Sequence, residues 1–183
     1  MTKNYSKFTS KSIWFTIVMF CLRCFVSGTK IITEFSMYDL YGYAGEAIAF
    51  SAFVMLAYEK CLWKCNPFEK TPVLKKKYKG TLLSTYDGIE REAVLEIKQT
   101  LLSISVVFIT EESRSKSISA SIEKIQEEWQ LTYCYLNVPQ ASIRDRSAIH
   151  YGTALLCIEN PEEIKGEYFT DRKTTGDMNF VPV

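Results

Sequence analysis

Residues 93–138 read AVLEIKQTLLSISVVFITEESRSKSISASIEKIQEEWQLTYCYLNV, and this stretch decides the fold. Helical periodicity is missing from it and period-two alternation takes its place. Ala93–Thr100 sets Val94, Glu96 and Lys98 against Leu95, Ile97 and Gln99. Ser103–Thr110 is rich in Ser, Ile, Val and Phe and ends at the polar tip Glu111–Ser113. Ser115–Ile125 alternates Ser with Ile and Ala, and the aromatic Trp129–Val138 stops at Pro139. The same pattern extends outward on both sides. Lys79–Tyr86 leads into an Asp87-Gly88 turn, Ile149–Glu159 stops at Asn160-Pro161, and Ile164–Thr170 and Asp177–Val181 flank Asp171–Gly176. About eight short strands linked by turns must pair antiparallel, because parallel pairs need long crossovers. Eight such strands close into a small barrel with room for side chains or one small ligand. A flattened sandwich is the alternative.

Upstream the character changes. Asn66-Pro67-Phe68 and Thr71-Pro72 open a basic connector ending in KKKYKG, expected over 67–78, with the barrel over 79–183. Before it stand two apolar segments, expected as membrane spans over about 12–30 and 40–60 of a hairpin occupying 1–66. From Ser12 to Thr29 the only charge is Arg23, and from Leu40 to Tyr58 it is Glu46. Each is long enough for a bilayer core that takes roughly 20 helical residues, and neither has the polar stripe of a soluble amphipathic helix. A cleaved signal peptide is the competing reading of the first segment, weakened by Arg23 and by the second span so soon after. The fold class expected is therefore an α+β membrane protein, a two-helix hairpin followed by a cytoplasmic eight-stranded antiparallel β-barrel.

Charge supplies the orientation. Residues 1–66 carry 7 Lys/Arg against 4 Asp/Glu, whereas 67–183 carry 15 against 17. Lys3, Lys7 and Lys11 precede the first span; Lys60, Lys64, Lys70 and Lys75-Lys76-Lys77 follow the second; the loop Lys30–Asp39 has one lysine against Glu34 and Asp39. The positive-inside rule then puts both termini in the cytoplasm of a multi-pass inner-membrane protein. Arg23 and Glu46 fall at one level of the hairpin, so they neutralise each other, line an assembly or a pore, or snorkel toward the interface. Cys21/Cys24 and Cys61/Cys65 lie at opposite depths, cannot form one zinc site, and are expected as buried small apolar residues.

The chemistry available is that of recognition. With one histidine, His150, no multi-histidine metal site exists, and the six cysteines are too scattered for a disulfide framework. No HExxH, Gly-x-Ser-x-Gly or glycine-rich phosphate loop occurs, so neither a catalytic residue nor a metal or cofactor is expected. A net charge of +1 gives no field for DNA or RNA. Tyr133, Tyr135 and Asn137 share one strand face, as do Tyr168, Thr170 and Arg172. The tyrosines offer stacking surfaces, Arg172 a bidentate donor for phosphate, the row Ser115, Ser117, Ser119 hydroxyls, and His150 a binding donor or a structural contact.

The layout resembles the antiphage CBASS effectors described as CD-NTase-associated, two-transmembrane and β-strand-rich. The likeness is carried by Lys79-Gly80-Thr81, Ser115-x-Ser117, Leu131-Thr132-Tyr133-Cys134-Tyr135, Asn137-x-Pro139, His150-x-Gly152 and, most specifically, Gly166-x-Tyr168-Phe169-Thr170-x-Arg172-x-x-Thr175-Gly176. The resemblance implies a barrel that binds a cyclic dinucleotide as activating ligand, made by a functionally paired CD-NTase. It implies assembly into a homo-oligomer among inner-membrane lipids, loss of membrane integrity and abortive infection, with Thr175 joining the ligand-binding candidates. It assigns nothing to Arg23 or Glu46. The residues alone leave open a membrane-tethered lipocalin-like carrier of an apolar ligand, and a structural membrane assembly protein. Inward-facing charge and hydroxyls would mark a dinucleotide site, inward Leu, Ile and Phe a lipid site.

Overall fold

The computed structural model describes residues 3–28 and 36–183, so Lys30 and Glu34 of the expected outer loop lie outside the described residues. The chain divides into two units, 1–67 and 68–183.

Among its described residues the first unit holds two α-helices of 24 residues, α1 (Lys3–Val26) and α2 (Met37–Lys60). At 1.5 Å per residue each is about 36 Å long, and both are long and apolar enough to cross a membrane by length and composition. They expose Ile13, Trp14, Ile17, Leu22 and Phe25 on α1 and Ile48, Phe50, Phe53 and Leu56 on α2, as surfaces that face lipid would. The Ser36 hydroxyl caps α2 by accepting from the Tyr38 backbone N–H at 3.2 Å. α1 starts earlier and ends earlier than the expected 12–30, because the polar turn around Lys7 and Lys11 continues the helix and Gly28 at φ +67° closes it. Arg23 and Glu46 meet. Arg23 Nε donates to Glu46 Oε2 at 2.6 Å, its Nη1 to Ser27 Oγ at 2.6 Å, and its guanidinium lies 4.3 Å from the Tyr43 ring centre. Cys21, Cys61 and Cys65 are exposed rather than buried, Cys21 on α1 and Cys61 and Cys65 just beyond the end of α2.

The second unit is a closed barrel in which each strand pairs antiparallel with its sequence neighbours and β8 returns to β1. The strands are β1 (Lys77–Ser84), β2 (Glu90–Gln99), β3 (Ile104–Thr110), β4 (Ser113–Ile125), β5 (Glu128–Pro139), β6 (His150–Asn160), β7 (Glu163–Thr170) and β8 (Thr175–Pro182). Alternation follows the pleat: in β2, Ala93, Leu95 and Ile97 are buried, and in β5, Leu131, Tyr133, Tyr135 and Asn137. The stretch 67–78 is not a free tether, for Leu74 and Tyr78 belong to the barrel core. Gln99 fastens it there, its amide oxygen accepting from Leu74 N at 2.9 Å and its Nε2 donating to the Pro72 carbonyl at 2.8 Å.

The interior has two halves. Around the start of β1 it is packed solid by Leu74, Tyr78, Leu95, Ile97, Val106, Leu131, Leu156, Ile158, Ile164 and Phe180. Tyr78 seals this half, its hydroxyl donating to the Pro161 carbonyl at 2.9 Å while accepting from Lys75 N at 3.0 Å. The opposite half is hollow.

Candidate functional site

The hollow half is a cavity of about 270 Å³. Its lining comes from the ends of β1, β3, β5 and β7 and the starts of β2, β4, β6 and β8, which places it at the barrel end opposite the start of β1. Alternation dictates which residues reach it. Counting by two from the packed half, β5 turns Tyr133, Tyr135 and Asn137 inward, β7 turns Tyr168 and Thr170, and β1 turns Leu82 and Ser84. Phe108 forms part of the floor, edge-on to Phe180 of the core at 6.1 Å and 84°.

Three tyrosines dominate the walls. The Tyr133 and Tyr135 rings lie 5.7 Å apart at 45°. Burial pushes both phenols well above their ordinary titration range, so they are neutral donors. Neither hydroxyl has a protein hydrogen-bond partner among the described residues. Tyr168 donates to Ser84 Oγ at 3.0 Å. Glycines make room for two of these rings. Gly152 is the cross-strand partner of Tyr135, and a Cβ there would strike the Tyr135 ring; a Cβ at Gly176 would strike the Tyr168 ring and the Leu83 carbonyl. This is the physical content of the His150-x-Gly152 and Thr175-Gly176 pairs.

A relay of polar groups runs along one wall. Ser115 Oγ donates to Asn137 Oδ1 at 2.9 Å, and Asn137 Nδ2 lies 3.4 Å from His150 Nε2. His150 Nδ1 is 2.9 Å from the Ala148 carbonyl, so Nδ1 carries the proton and Nε2 accepts. His150 therefore anchors the segment 140–149 between β5 and β6, which includes the short 3-10 turn Ala141–Ile143. Arg172 anchors the same segment, Nη1 donating to Ser147 Oγ at 3.1 Å. Thr170 and Thr174, with hydroxyls 2.6 Å apart, brace the β7–β8 turn that carries Arg172.

Of the residues singled out from the sequence, Tyr133, Tyr135, Asn137, His150, Tyr168 and Arg172 line the cavity. Ser117 and Thr175 do not. A bulge at Ser117/Ser119 interrupts the serine row, and Ser117 Oγ accepts from Val106 N at 2.9 Å where the ladder is broken. Thr175 points outward and exchanges hydrogen bonds with Thr85. Two further arginines line the cavity that sequence reasoning did not single out. Arg91 enters two residues before Ala93 on the inward face of β2, and Arg146 comes from the segment 140–149. Arg91 holds Asp87 bidentately, which lowers the Asp87 carboxyl to about 2, and Arg146 pairs with Glu112. Among the described residues no group of His, Cys, Asp and Glu is placed to hold a metal ion.

Neutral tyrosine faces, three guanidinium groups and inward hydroxyls suit a ligand with stackable rings and negative charge. The family model of the Cap15 cyclic dinucleotide receptor domain matches residues 69–181, which is the barrel with its cavity. A curated relative, CD-NTase-associated protein 15 from Staphylococcus schleiferi, is 32% identical over 170 residues and covers 90% of each chain, so the likeness extends beyond the barrel into the hairpin. With the receptor domain falling on the barrel and the relative matching nearly end to end, the chain belongs to the Cap15 family.

Proposed function

We propose that this protein is an antiphage CBASS effector whose barrel cavity binds a cyclic dinucleotide made by a paired CD-NTase. Binding drives its assembly in the inner membrane and disrupts that membrane, ending infection with the death of the cell. The observation that carries the reading is the composition of the cavity: Tyr133, Tyr135 and Tyr168 beside Arg91, Arg146 and Arg172, with Leu82, Phe108, Ile143 and Met178 the apolar minority of the lining and most aliphatic residues in the packed half. A carrier of apolar ligands would need that distribution reversed. Bases stack on tyrosine faces and phosphodiesters take guanidinium donors, so both parts of a cyclic dinucleotide find their complement.

The hairpin supplies the link to the membrane. Two helices enclose no pore, so damage requires many hairpins brought together, and ligand shifts that equilibrium only by binding the assembled state more tightly than the resting one. The basic flanks favour a topology with both termini in the cytoplasm, where the messenger is made.

The test uses the full-length protein reconstituted in dye-loaded liposomes and titrated with a panel of cyclic dinucleotides. One member should trigger dye release, and Arg172→Ala should weaken its binding about 10–100-fold, since a charge-assisted contact contributes roughly 1.5–3 kcal/mol. Binding without assembly or leakage would overturn the effector reading; no binding by any member would overturn the ligand.

A further inference from the structure

The three cavity arginines are not in the same state. Arg172 is bonded to a hydroxyl and pairs with no carboxylate among the described residues. Arg91 and Arg146 are each already neutralised. Both Arg91 terminal nitrogens hold the two oxygens of Asp87, in the β1–β2 turn, and Arg146 holds Glu112, in the β3–β4 turn. Asp87 and Glu112 themselves line the cavity. Counting side chains there, three guanidinium charges face two carboxylates, leaving a net of +1. A cyclic dinucleotide brings two phosphodiester charges. It would enter a site whose cationic donors are largely taken and whose acidic groups repel it.

From this we infer that Asp87 and Glu112 are internal competitors, carboxylates resting on the arginines that receive phosphate when the cavity fills. The inference rests on the ligand class proposed above and adds how its site is gated. Each carboxylate belongs to a turn outside the ladder, so it swings away by a rotamer change without breaking strand pairing. Both pairs are partly exposed, and exposed ion pairs are weak, so exchange for a bidentate phosphate contact is favourable. Arg146 also lies in the segment 140–149, which Gln140 ties to the β3–β4 turn through the Glu112 and Glu111 carbonyls at 2.9 and 2.7 Å. Exchange at Arg146 therefore frees one tie of that segment while the backbone ties remain. A ligand lacking two suitably spaced anionic groups displaces at most one carboxylate, so the gate selects for paired phosphates.

The carboxamide variants provide a test in which the predicted change is a gain. Calorimetric titration of the full-length protein in detergent with cyclic di-AMP, cyclic di-GMP and cyclic AMP–GMP gives the wild-type affinity. Glu112→Gln and Asp87→Asn should each bind the preferred dinucleotide about 3–10-fold tighter, with the β circular-dichroism signal of the wild type retained. Arg146→Ala should bind at least tenfold more weakly and should erase the gain from Glu112→Gln when the two are combined. Wild-type binding with no gain in either carboxamide variant overturns the exchange and leaves the proposed ligand standing. Failure of wild type and variants to bind any of the three dinucleotides overturns the proposed ligand and the exchange together.

Discussion

Replacing Gly152 by alanine introduces a single methyl group where the Tyr135 ring already lies. Gly152 and Tyr135 are paired across β5 and β6, and a Cβ at 152 would meet the Cζ and Oη end of the ring. The ring has to swing toward the cavity or the two strands have to part. Forcing one methyl into packed space costs about 1–3 kcal/mol. For a barrel of this size that lowers the thermal midpoint by about 4 °C per kcal/mol. Tyr135→Ala alone should cost roughly 3 kcal/mol, the lower end for a buried aromatic, because one side of this ring faces the cavity rather than packed atoms. The decisive variant is the pair. With the ring removed the methyl has space, so Gly152→Ala/Tyr135→Ala should be about as stable as Tyr135→Ala, a coupling of roughly 1–3 kcal/mol. Thermal unfolding of the full-length protein in detergent, followed by circular dichroism of the β signal, measures all four corners of the cycle. Additive losses would mean that Gly152 is needed for its backbone and not for the ring, and the account of the His150-x-Gly152 pair would fail.

The β4–β5 turn holds Gln126 and Glu127 at φ 46° and 73°, left-handed conformations that non-glycine residues adopt at a cost of roughly 1–2 kcal/mol. Glu127→Gly should therefore stabilise the protein by about 0.5–1 kcal/mol in calorimetry despite losing an exposed ion pair to Lys124; a fall in stability would refute the strain. Asp87 titrates at about 2 in the folded chain against an ordinary 3.8, held down by the Arg91 guanidinium. Because the folded value is the lower one, its contribution to stability is complete above about pH 4 and disappears as pH falls toward 2. Urea midpoints measured across that window should fall less steeply for Asp87→Asn than for wild type. For the topology, reporter fusions at residue 2 and at the carboxy terminus should signal cytoplasm and one at residue 34 periplasm; a periplasmic carboxy terminus would separate the cavity from any cytosolic messenger.

The barrel was legible because its strands alternate and its turns carry Asp-Gly, Asn-Pro and acidic tips. The eight expected strands match the eight observed, with ends displaced by a few residues. The direction of alternation was not legible, since period two defines two faces without saying which one is inside. The packed half decides it: Leu131 and Leu156 are fully buried, and counting from them sets every tyrosine. Arg91 escaped because β2 was begun at Ala93; begun at Glu90, its parity would have put Arg91 inside. Arg146 gave no signal, because the segment 140–149 has no period to count. Ser117 was misleading for a local reason, as a bulge shifts register without disturbing the written alternation of serines. The stretch 67–78 looked like a tether from its lysines, while Leu74 and Tyr78, the residues that dock it, stand singly among them.

Pairing of β8 with β1 decides what the barrel wall can offer to another chain. Every strand has a neighbour on both sides, so unpaired backbone in the wall is confined to the part of β4 beyond Lys116, which is laddered to β5 alone. Contact between two such barrels would rest mainly on side chains, without the end-to-end backbone zippering by which open sheets grow into fibres. Contacts of that kind form and release one surface at a time, and single substitutions change their strength. Aromatic residues on the outer wall, such as Tyr151 and Phe169, stand beyond the ladder and are free to take part. A wall with so little open border would leave any clustering reversible until something else, inside the barrel or in the bilayer, commits it.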